Sequence, residues 1–213
     1  MGNLILVRHS VTAASAAGRN LGQRADPPLA DEGAALAARL GETLSAELAE
    51  LAHDELRLVS SPALRCRQTT EAIAAALGRD RVAIDTAEGL LELDYGAWDG
   101  LTADECRARD PEVRAGWEAD PFGTRCPDGE SGADVARRAF AVLEPIEAWL
   151  AGDRGRCAIV VAHNHVNRLR LCALMGWPMR EYRDRLAQEP AGYSILGFAG
   201  REPVIRRVNA APA

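Results

Sequence analysis

The 213-residue sequence contains no lysine, so each of its 25 basic side chains is an arginine. Arginine therefore also fills the ordinary surface role of lysine, and a single arginine carries little weight as a functional residue. The 31 acidic residues outnumber the basic ones, and the net charge of −6 argues against a general nucleic-acid-binding protein. No apolar run reaches the length of a membrane-spanning helix, so no membrane partner is expected.

The pattern of the cysteines argues against two common uses of this residue. The number is odd, the spacing is wide and no C-x-x-C occurs, which argues against a disulfide framework and against a zinc site. The first strand begins after three residues, without a basic segment or a cleavage site, so no signal peptide is expected. These features predict a reducing, cytoplasmic location. The five cysteines are Cys66, Cys106, Cys126, Cys157 and Cys172.

Composition and periodicity predict an α/β protein. Apolar content of 47% and charged content of 26% are typical of a soluble globular chain, and the length suits one domain with a full core. Short runs of branched residues predict buried strands at 4–7, 56–59, 82–84 and 157–162, and two late strands follow at 193–198 and 204–208.

Helical patterns lie between these strands. Asp31 is a plausible N-cap of a leucine-striped helix, Ser61 with Pro62 predicts the start of a second, and Ser131 that of a third, which Pro145 should kink or interrupt. Further helices are predicted at 103–109 and 166–175. We expect one domain over 1–213, a three-layer sandwich with a mostly parallel central sheet, helices on both faces and a small cap insertion at roughly 85–130.

Arginine and histidine residues lie near the ends of the predicted buried strands. Arg8 and His9 end the first apolar run, Arg65 lies in the first turn of the helix after the second, and His163 ends the clearest buried strand. Ligands of open α/β sheets bind at the carboxyl ends of strands. A strand-end histidine alone is more often a structural hydrogen-bonding group. Two of them beside two arginines favour a phosphate site, because arginine forks onto phosphate oxygens and neutral imidazole can attack phosphorus.

Five segments in order resemble one family over nearly the whole chain. RHSVT at 8–12, SPALRCRQT at 61–69, Glu92 ahead of GAWDGLT at 96–102, GES at 129–131 and His163 match the motifs of the histidine phosphatase superfamily, also called the phosphoglycerate mutase-like fold. DPPLADEG at 26–33 resembles the entry into that family's first helix. The chain looks most like the phosphatase branch.

The resemblance implies a role for each matched residue. His9 would be the nucleophile that forms a phosphohistidine, and Arg8, Arg65 and His163 would hold the phosphoryl oxygens. Glu92 would be the general acid and then the base that activates water. The resemblance implies no metal or other cofactor, and we expect a bell-shaped pH profile with an optimum on the acidic side or near neutral. The candidate substrate-binding residues are Ser10, Thr12, Arg19 and Asn164.

Four positions depart from the family pattern or compete with it. Ser10 and Asn164 stand where glycines are usual, and each leaves open a new substrate contact or a narrower approach. His165 is additional, and we expect a first-turn helix residue rather than a substrate contact. Asp94 is a rival of Glu92 as the acid, displaced from the motif position.

Trp98 and Trp117 are expected to anchor the cap rather than stack on substrate.

The leading hypothesis is a phosphomonoester hydrolase acting on a small phosphorylated metabolite, such as a sugar phosphate. The alternatives are a cofactor-dependent phosphoglycerate mutase and a non-catalytic phosphate-binding regulatory module, and a protein-phosphatase role stays open. The expected partner is a small phosphate ester, with neither nucleic acid nor membrane. The residues do not encode an oligomeric state, and only the resemblance points to a homodimer.

Overall fold

A computed structural model describes residues 1–51, 53–78, 83–200 and 203–213. Within these ranges six strands form a single mixed sheet. They are β1 (Gly2–Arg8), β2 (Glu55–Ser60), β3 (Ile84–Thr86), β4 (Arg156–Ala162), β5 (Tyr193–Phe198) and β6 (Pro203–Ala210). Their order across the sheet is β3-β2-β4-β1-β5-β6. The first four strands of this order run parallel to one another. β5 pairs antiparallel with both β1 and β6, so the sheet is mostly parallel as predicted.

The same described ranges hold eight α-helices. They are α1 (Ala13–Ala16), α2 (Asp31–Glu50), α3 (Leu64–Ala76), α4 (Ala103–Arg109), α5 (Pro111–Ala119), α6 (Gly132–Ala151), α7 (Asn164–Leu174) and α8 (Tyr182–Arg185). None of them is long and apolar enough to cross a membrane.

Alternation along the central strands creates two cores, one on each face of the sheet. In β1, Ile5 and Val7 pack with the leucines of α2 and with α3, whereas Leu4 and Leu6 pack on the opposite face with α6 and α7. Because side chains of a strand alternate between faces, an apolar run without polar interruption is what a strand covered on both sides requires. The result is the three-layer α/β arrangement expected from the sequence.

The register of the parallel strands brings three chain segments to one edge. Arg8 of β1 lies opposite Ala162 of β4, and Ser60 of β2 lies opposite Val161. The residues that follow these strands, among them His9, Ser61 and His163, are therefore neighbours at the carboxyl end of the sheet. This edge is where the polar side chains of the site gather.

Several local predictions need correction. α2 begins at Asp31 itself with Ala30 as its N-cap. α3 begins at Leu64 with Ala63 as its N-cap, and the Ser61 hydroxyl accepts the N–H of Ala63 at 3.4 Å and bonds His163. The helix predicted over 166–175 begins at Asn164, directly after β4. The third strand is Ile84–Thr86, and residue 82 of the predicted strand lies outside the described residues.

The long helix α6 differs from its prediction at Pro145 and agrees with it at Ser131. It continues through Pro145 without interruption. It starts at the predicted Ser131, in a capping box in which the Ser131 hydroxyl accepts the N–H of Asp134 and the Asp134 carboxylate accepts the N–H of Ser131. Pro145 removes one internal hydrogen bond, but α6 keeps its twenty residues because its buried face packs on the sheet.

The segment predicted as a cap is built on two tryptophans. Trp98 and Trp117 are fully buried, pack edge to face at a centroid separation of 6.1 Å, and join the core shared with α6 and α7. The Trp98 indole N–H donates to Asp110 at 2.7 Å. The predicted helix at 103–109 is α4, and α5, which the sequence reading missed, follows at once.

Candidate active site

His9 follows β1 and is almost completely buried. Its Nδ1 lies 2.7 Å from the carbonyl oxygen of Ser10. Since a carbonyl only accepts, Nδ1 carries the proton and Nε2 keeps its lone pair. Burial lowers the pKa of His9 well below its ordinary value, and the nearby charges of Arg65 and Arg8 lower this pKa further. The geometry and the electrostatics therefore favour a neutral imidazole with a nucleophilic Nε2.

His163 follows β4 and packs edge to face on His9, with ring centroids 5.2 Å apart. Arg65 Nη2 donates to His163 Nδ1 at 3.2 Å, and His163 Nε2 lies 2.8 Å from the hydroxyl of Ser61. Because a guanidinium only donates, Nδ1 is the accepting nitrogen and Nε2 carries the proton. Burial and the Arg65 charge lower the pKa of His163 well below its ordinary value. His163 is thus neutral and helps to hold Arg65 in place.

Backbone carbonyls hold both predicted arginines. Arg8 lines a cavity together with His9, whereas Arg65 lines a second cavity together with Gly22 and Asp26. Arg8 Nη1 donates to the carbonyl of Gln188, and Arg65 Nη2 donates to the carbonyl of Gly22 at 3.0 Å. Asp26 lies 3.6 Å from Arg65 and is half exposed. In the part of the chain that the structure describes, the Nε atoms of Arg8 and Arg65 are buried without a hydrogen-bond partner. Such donors are suited to the oxygens of an anion.

Glu92 lies beyond β3 and is almost fully buried. Its carboxylate accepts the N–H of Leu93 at 2.9 Å and the N–H of His165 at 3.3 Å. Burial raises the pKa of Glu92, and the two hydrogen bonds and the charges of Arg65 and Arg8 oppose this rise. Glu92 lines the same cavity as Arg8 and His9, with a volume of about 280 Å³. A carboxyl group whose proton is retained beside a nucleophile can act as a general acid.

The four predicted substrate-binding residues separate into two pairs. Asn164 and Arg19 line the cavity, and Arg19 also pairs with the exposed Glu105 at 3.1 Å. Ser10 and Thr12 do not line it. The Ser10 hydroxyl donates to the carbonyl of Gly33 at 2.7 Å, and the Thr12 hydroxyl caps α1. The structure thus brings Asn164 and Arg19 to the cavity and directs both hydroxyls into the fold.

His165 and Asp94 have structural contacts. The ring nitrogens of His165 lie 2.7 Å from the Tyr95 hydroxyl and 2.6 Å from the Tyr182 hydroxyl, and its backbone N–H supports Glu92. Asp94 accepts the N–H of Gly96 at 2.8 Å and is not among the cavity-lining residues. The expectation that His165 is a helix residue rather than a substrate contact fits these bonds.

Sequence reasoning missed part of the cavity wall. Tyr95, Arg114 and Arg183 line the cavity, and so does Trp117, which was read only as an anchor of the cap. Arg114 and Trp117 are three residues apart on α5 and therefore lie on one face of that helix. A helix predicted over this segment would have brought them together. Arg183 lies in the short helix α8 and carries no sequence signal.

The described residues contain no group of three or more His, Cys, Asp or Glu side chains that could hold a metal ion. The positive charge around His9 comes instead from arginines.

Comparison with known proteins gives a consistent result. The sequence profile of the histidine phosphatase superfamily (branch 1) matches residues 4–211. Phosphoserine phosphatase 1 of Hydrogenobacter thermophilus is 29% identical over 211 residues, which cover 98% of this chain and 92% of the relative. An acid phosphatase of Mycobacterium tuberculosis is 32% identical over 197 residues, covering 92% and 86%.

Solved structures agree with the sequence comparison. The structure of mycobacterial glucosyl-3-phosphoglycerate phosphatase in complex with VO3 superposes with a TM-score of 0.81 and 25% identity, and the match covers 99% of this chain and 100% of that one. The fold, the order of the motifs and the profile match over the whole chain all point the same way. The chain belongs to branch 1 of the histidine phosphatase superfamily.

Proposed function

We propose that this chain, a phosphomonoester hydrolase, acts on a small phosphorylated metabolite through a phosphohistidine formed at His9 Nε2. The observation that carries the proposal is the contact of His9 Nδ1 with the Ser10 carbonyl, which leaves Nε2 as the nucleophile, in a cavity that Arg8 and Glu92 also line. The family, and relatives named phosphoserine phosphatase and acid phosphatase, support hydrolysis. A cavity of about 280 Å³ supports a small substrate.

In the first step, the lone pair of His9 Nε2 forms the N–P bond while the ester P–O bond breaks. Glu92 gives its proton to the leaving oxygen, so an alcohol departs and a carboxylate remains. Arg8 and Arg65 donate to the phosphoryl oxygens through the N–H groups that lack partners in the described structure. His163 holds Arg65 through its Nδ1 and stands beside the His9 ring.

In the second step, the Glu92 carboxylate takes a proton from water as the water oxygen attacks phosphorus. The N–P bond breaks, its electron pair returns to His9 Nε2, and inorganic phosphate leaves. Glu92 is again protonated and His9 is again neutral, so the cycle closes without a metal or other cofactor. Proton transfer by a positioned side chain is worth about 10²–10⁴ in rate for each step.

The test is hydrolysis of 4-nitrophenyl phosphate with a chelator present, by the wild type and by His9→Ala. His53→Ala, which removes a half-buried histidine outside the cavity, is the matched control. We expect turnover by the wild type and the control, and none by His9→Ala. Rapid acid-free quenching of the wild type should show a phosphorylated His9 by peptide mass spectrometry.

Each other outcome points elsewhere. Turnover that survives in His9→Ala contradicts the phosphohistidine mechanism. Phosphate transfer between hydroxyls of phosphoglycerate with a bisphosphate primer, faster than hydrolysis, would identify a mutase. Phosphate binding without turnover across a broad panel of esters would identify a regulatory module.

We also propose a reducing, cytoplasmic location. The support is the state of the five cysteines, which are all buried and unpaired in the described structure. Fractionation of the source cells with an antibody to the chain tests this, and recovery with secreted proteins would contradict it.

A further inference from the structure

The cavity wall that faces away from the strand ends carries hydrogen-bond donors without acceptors. In the described part of the chain, Arg114 Nη1, Trp117 Nε1 and Arg183 Nε are buried and have no partner. Arg114 is only 4% exposed and Trp117 only 1%, and all three residues line the cavity that holds His9. We call Arg114, Trp117 and Arg183 the distal wall. Buried donors are normally paired, so this cluster is poised for an acceptor that the chain itself does not supply.

The distal wall is held rigidly by its neighbours. Arg114 Nε donates to Glu118 at 2.8 Å, and the guanidinium carbon of Arg114 lies 4.6 Å from the centroid of the Trp117 ring. The guanidinium carbon of Arg183 lies 4.5 Å from the same ring. Two guanidinium groups thus stack on one indole, which fixes the direction of their remaining N–H groups.

The charges around this wall favour an anion over a neutral group. Glu118 pairs with Arg114 and also with the exposed Arg107, so it offsets part of the positive charge. Glu92 also lines the cavity, but burial raises its pKa toward the protonated form that the first step needs. Arg183 has no ion pair with an acidic side chain in the described residues. A cationic excess remains on the wall.

We propose that the distal wall binds a second acidic group on the leaving-group side of the substrate, a carboxylate or a second phosphate. This inference rests on the proposed function, because it places the phosphate ester at His9 and the acidic group at Arg114, Trp117 and Arg183. These three residues offer guanidinium forks and an indole N–H, which match an oxyanion. The unpaired acceptor of the same cavity is the amide oxygen of Asn164, which lies outside the distal wall. The substrate is then a phosphomonoester of an acid and not a neutral sugar phosphate.

The experiment compares substrates that differ at one group. 3-Phosphoglycerate and glycerol 3-phosphate share a three-carbon chain and differ by a carboxylate in place of a hydroxymethyl group. Fructose 1,6-bisphosphate and fructose 6-phosphate test a second phosphate in the same way. We expect wild-type kcat/KM to be about 10- to 100-fold higher for the acidic member of at least one pair, and that pair identifies the acidic group.

The variants separate recognition from folding. Arg183→Gln should remove most of this preference, because kcat/KM for the acidic ester should fall about 10- to 100-fold further than kcat/KM for the neutral ester. Arg114→Gln should do the same, and Arg183→Gln carries the test if the more buried Arg114 variant fails to fold. Arg180→Gln removes the same charge from a nearby arginine whose side chain is 67% exposed, and it should keep the wild-type preference.

The outcomes distinguish this inference from the proposed function. Two results would contradict binding of an acidic group by the distal wall and leave the proposed hydrolase function unaffected. They are equal kcat/KM for both members of both pairs, and an equal loss for acidic and neutral esters in Arg183→Gln. Absence of any turnover contradicts the proposed function, and calorimetric binding of the same pairs then decides the wall. If the acidic member of a pair binds more tightly and Arg183→Gln abolishes this difference, the distal wall binds the acidic group. Equal binding of both members contradicts that role.

Discussion

Replacing Glu92 by glutamine separates the chemistry of this residue from its structural role. Glutamine has nearly the same shape, and its amide oxygen can still accept the N–H groups of Leu93 and His165 that the carboxylate accepts now. The fold and the cavity should therefore survive, whereas the transferable proton is lost. Any loss of activity in Glu92→Gln then reports on proton transfer.

The size of the loss depends on the leaving group. An alkoxide needs a proton to depart, so an alkyl phosphate should lose the full contribution of the acid, about 10²–10⁴ in kcat/KM. Nitrophenolate departs without a proton, so 4-nitrophenyl phosphate should lose less than about tenfold in the first step. The second step still lacks its base, so nitrophenolate should appear as a burst of one equivalent per active site before slow turnover.

The pKa shifts at the site explain why the pair can work together. With ordinary values of 6.5 for histidine and 4.5 for glutamate, neutral His9 and protonated Glu92 would coexist in at most about 1% of molecules. Burial lowers the pKa of His9 and raises that of Glu92, so the population of the active pair increases. His9 sets the acidic limb of the rate profile and Glu92 the alkaline limb, which Glu92→Gln should abolish for alkyl esters.

Stopped-flow release of nitrophenolate and steady-state assays of an alkyl phosphate measure these quantities. Asp94→Asn is the control, because Asp94 caps the N–H of Gly96 and lies outside the cavity lining. Equal losses on both esters in Glu92→Gln, without a burst, would refute the assignment. A leaving-group dependence that appears in Asp94→Asn instead would transfer the acid role to Asp94.

Two further predictions concern stability. Burial holds the pKa of His9 below 6.5, so the unfolded chain binds a proton there that the folded chain does not, and stability falls as the pH drops below about 6.5. His9→Asn should remove about 1 kcal/mol of the change in stability between pH 5.5 and 6.5 in denaturant titrations, and an unchanged pH dependence would contradict the neutral assignment. Glu147→Gln should cost about 3 kcal/mol and lower Tm by about 6–12 °C, because it removes the buried negative charge that pairs with Arg170, whose Nε donates to Glu147 at 2.7 Å. Glu144→Gln, at an exposed carboxylate 3.6 Å from Arg170, should cost less than about 1 kcal/mol, and equal Tm values for the two variants would refute the difference.

The sequence allowed good prediction where one local rule acts alone. The uninterrupted apolar runs of β1 and β4 allow no other placement than the centre of a covered sheet, and the capping box at Ser131 marks the start of α6. Prediction was wrong where a residue serves two purposes. Ser61 has the side chain of an N-cap, but its hydroxyl is 2.8 Å from His163 Nε2, and α3 starts three residues later. A local pattern cannot show that this hydroxyl also bonds a histidine about a hundred residues away in the sequence.

The two ends of the cavity differ in how far a sequence can reveal them, and the reason is geometric. Arg8, His9 and His163 reach the phosphate end directly from adjacent parallel strands, so strand register alone brings them together. The distal wall instead combines Arg114 of α5 with Arg183 of α8, two segments far apart in sequence whose arginines both pack on Trp117. In a chain whose every basic residue is an arginine, neither residue stands out by type. Under the proposed function, the residues of phosphoryl transfer thus lie in short segments at the sheet edge, whereas recognition of the leaving group depends on how α5 and α8 pack over the cavity.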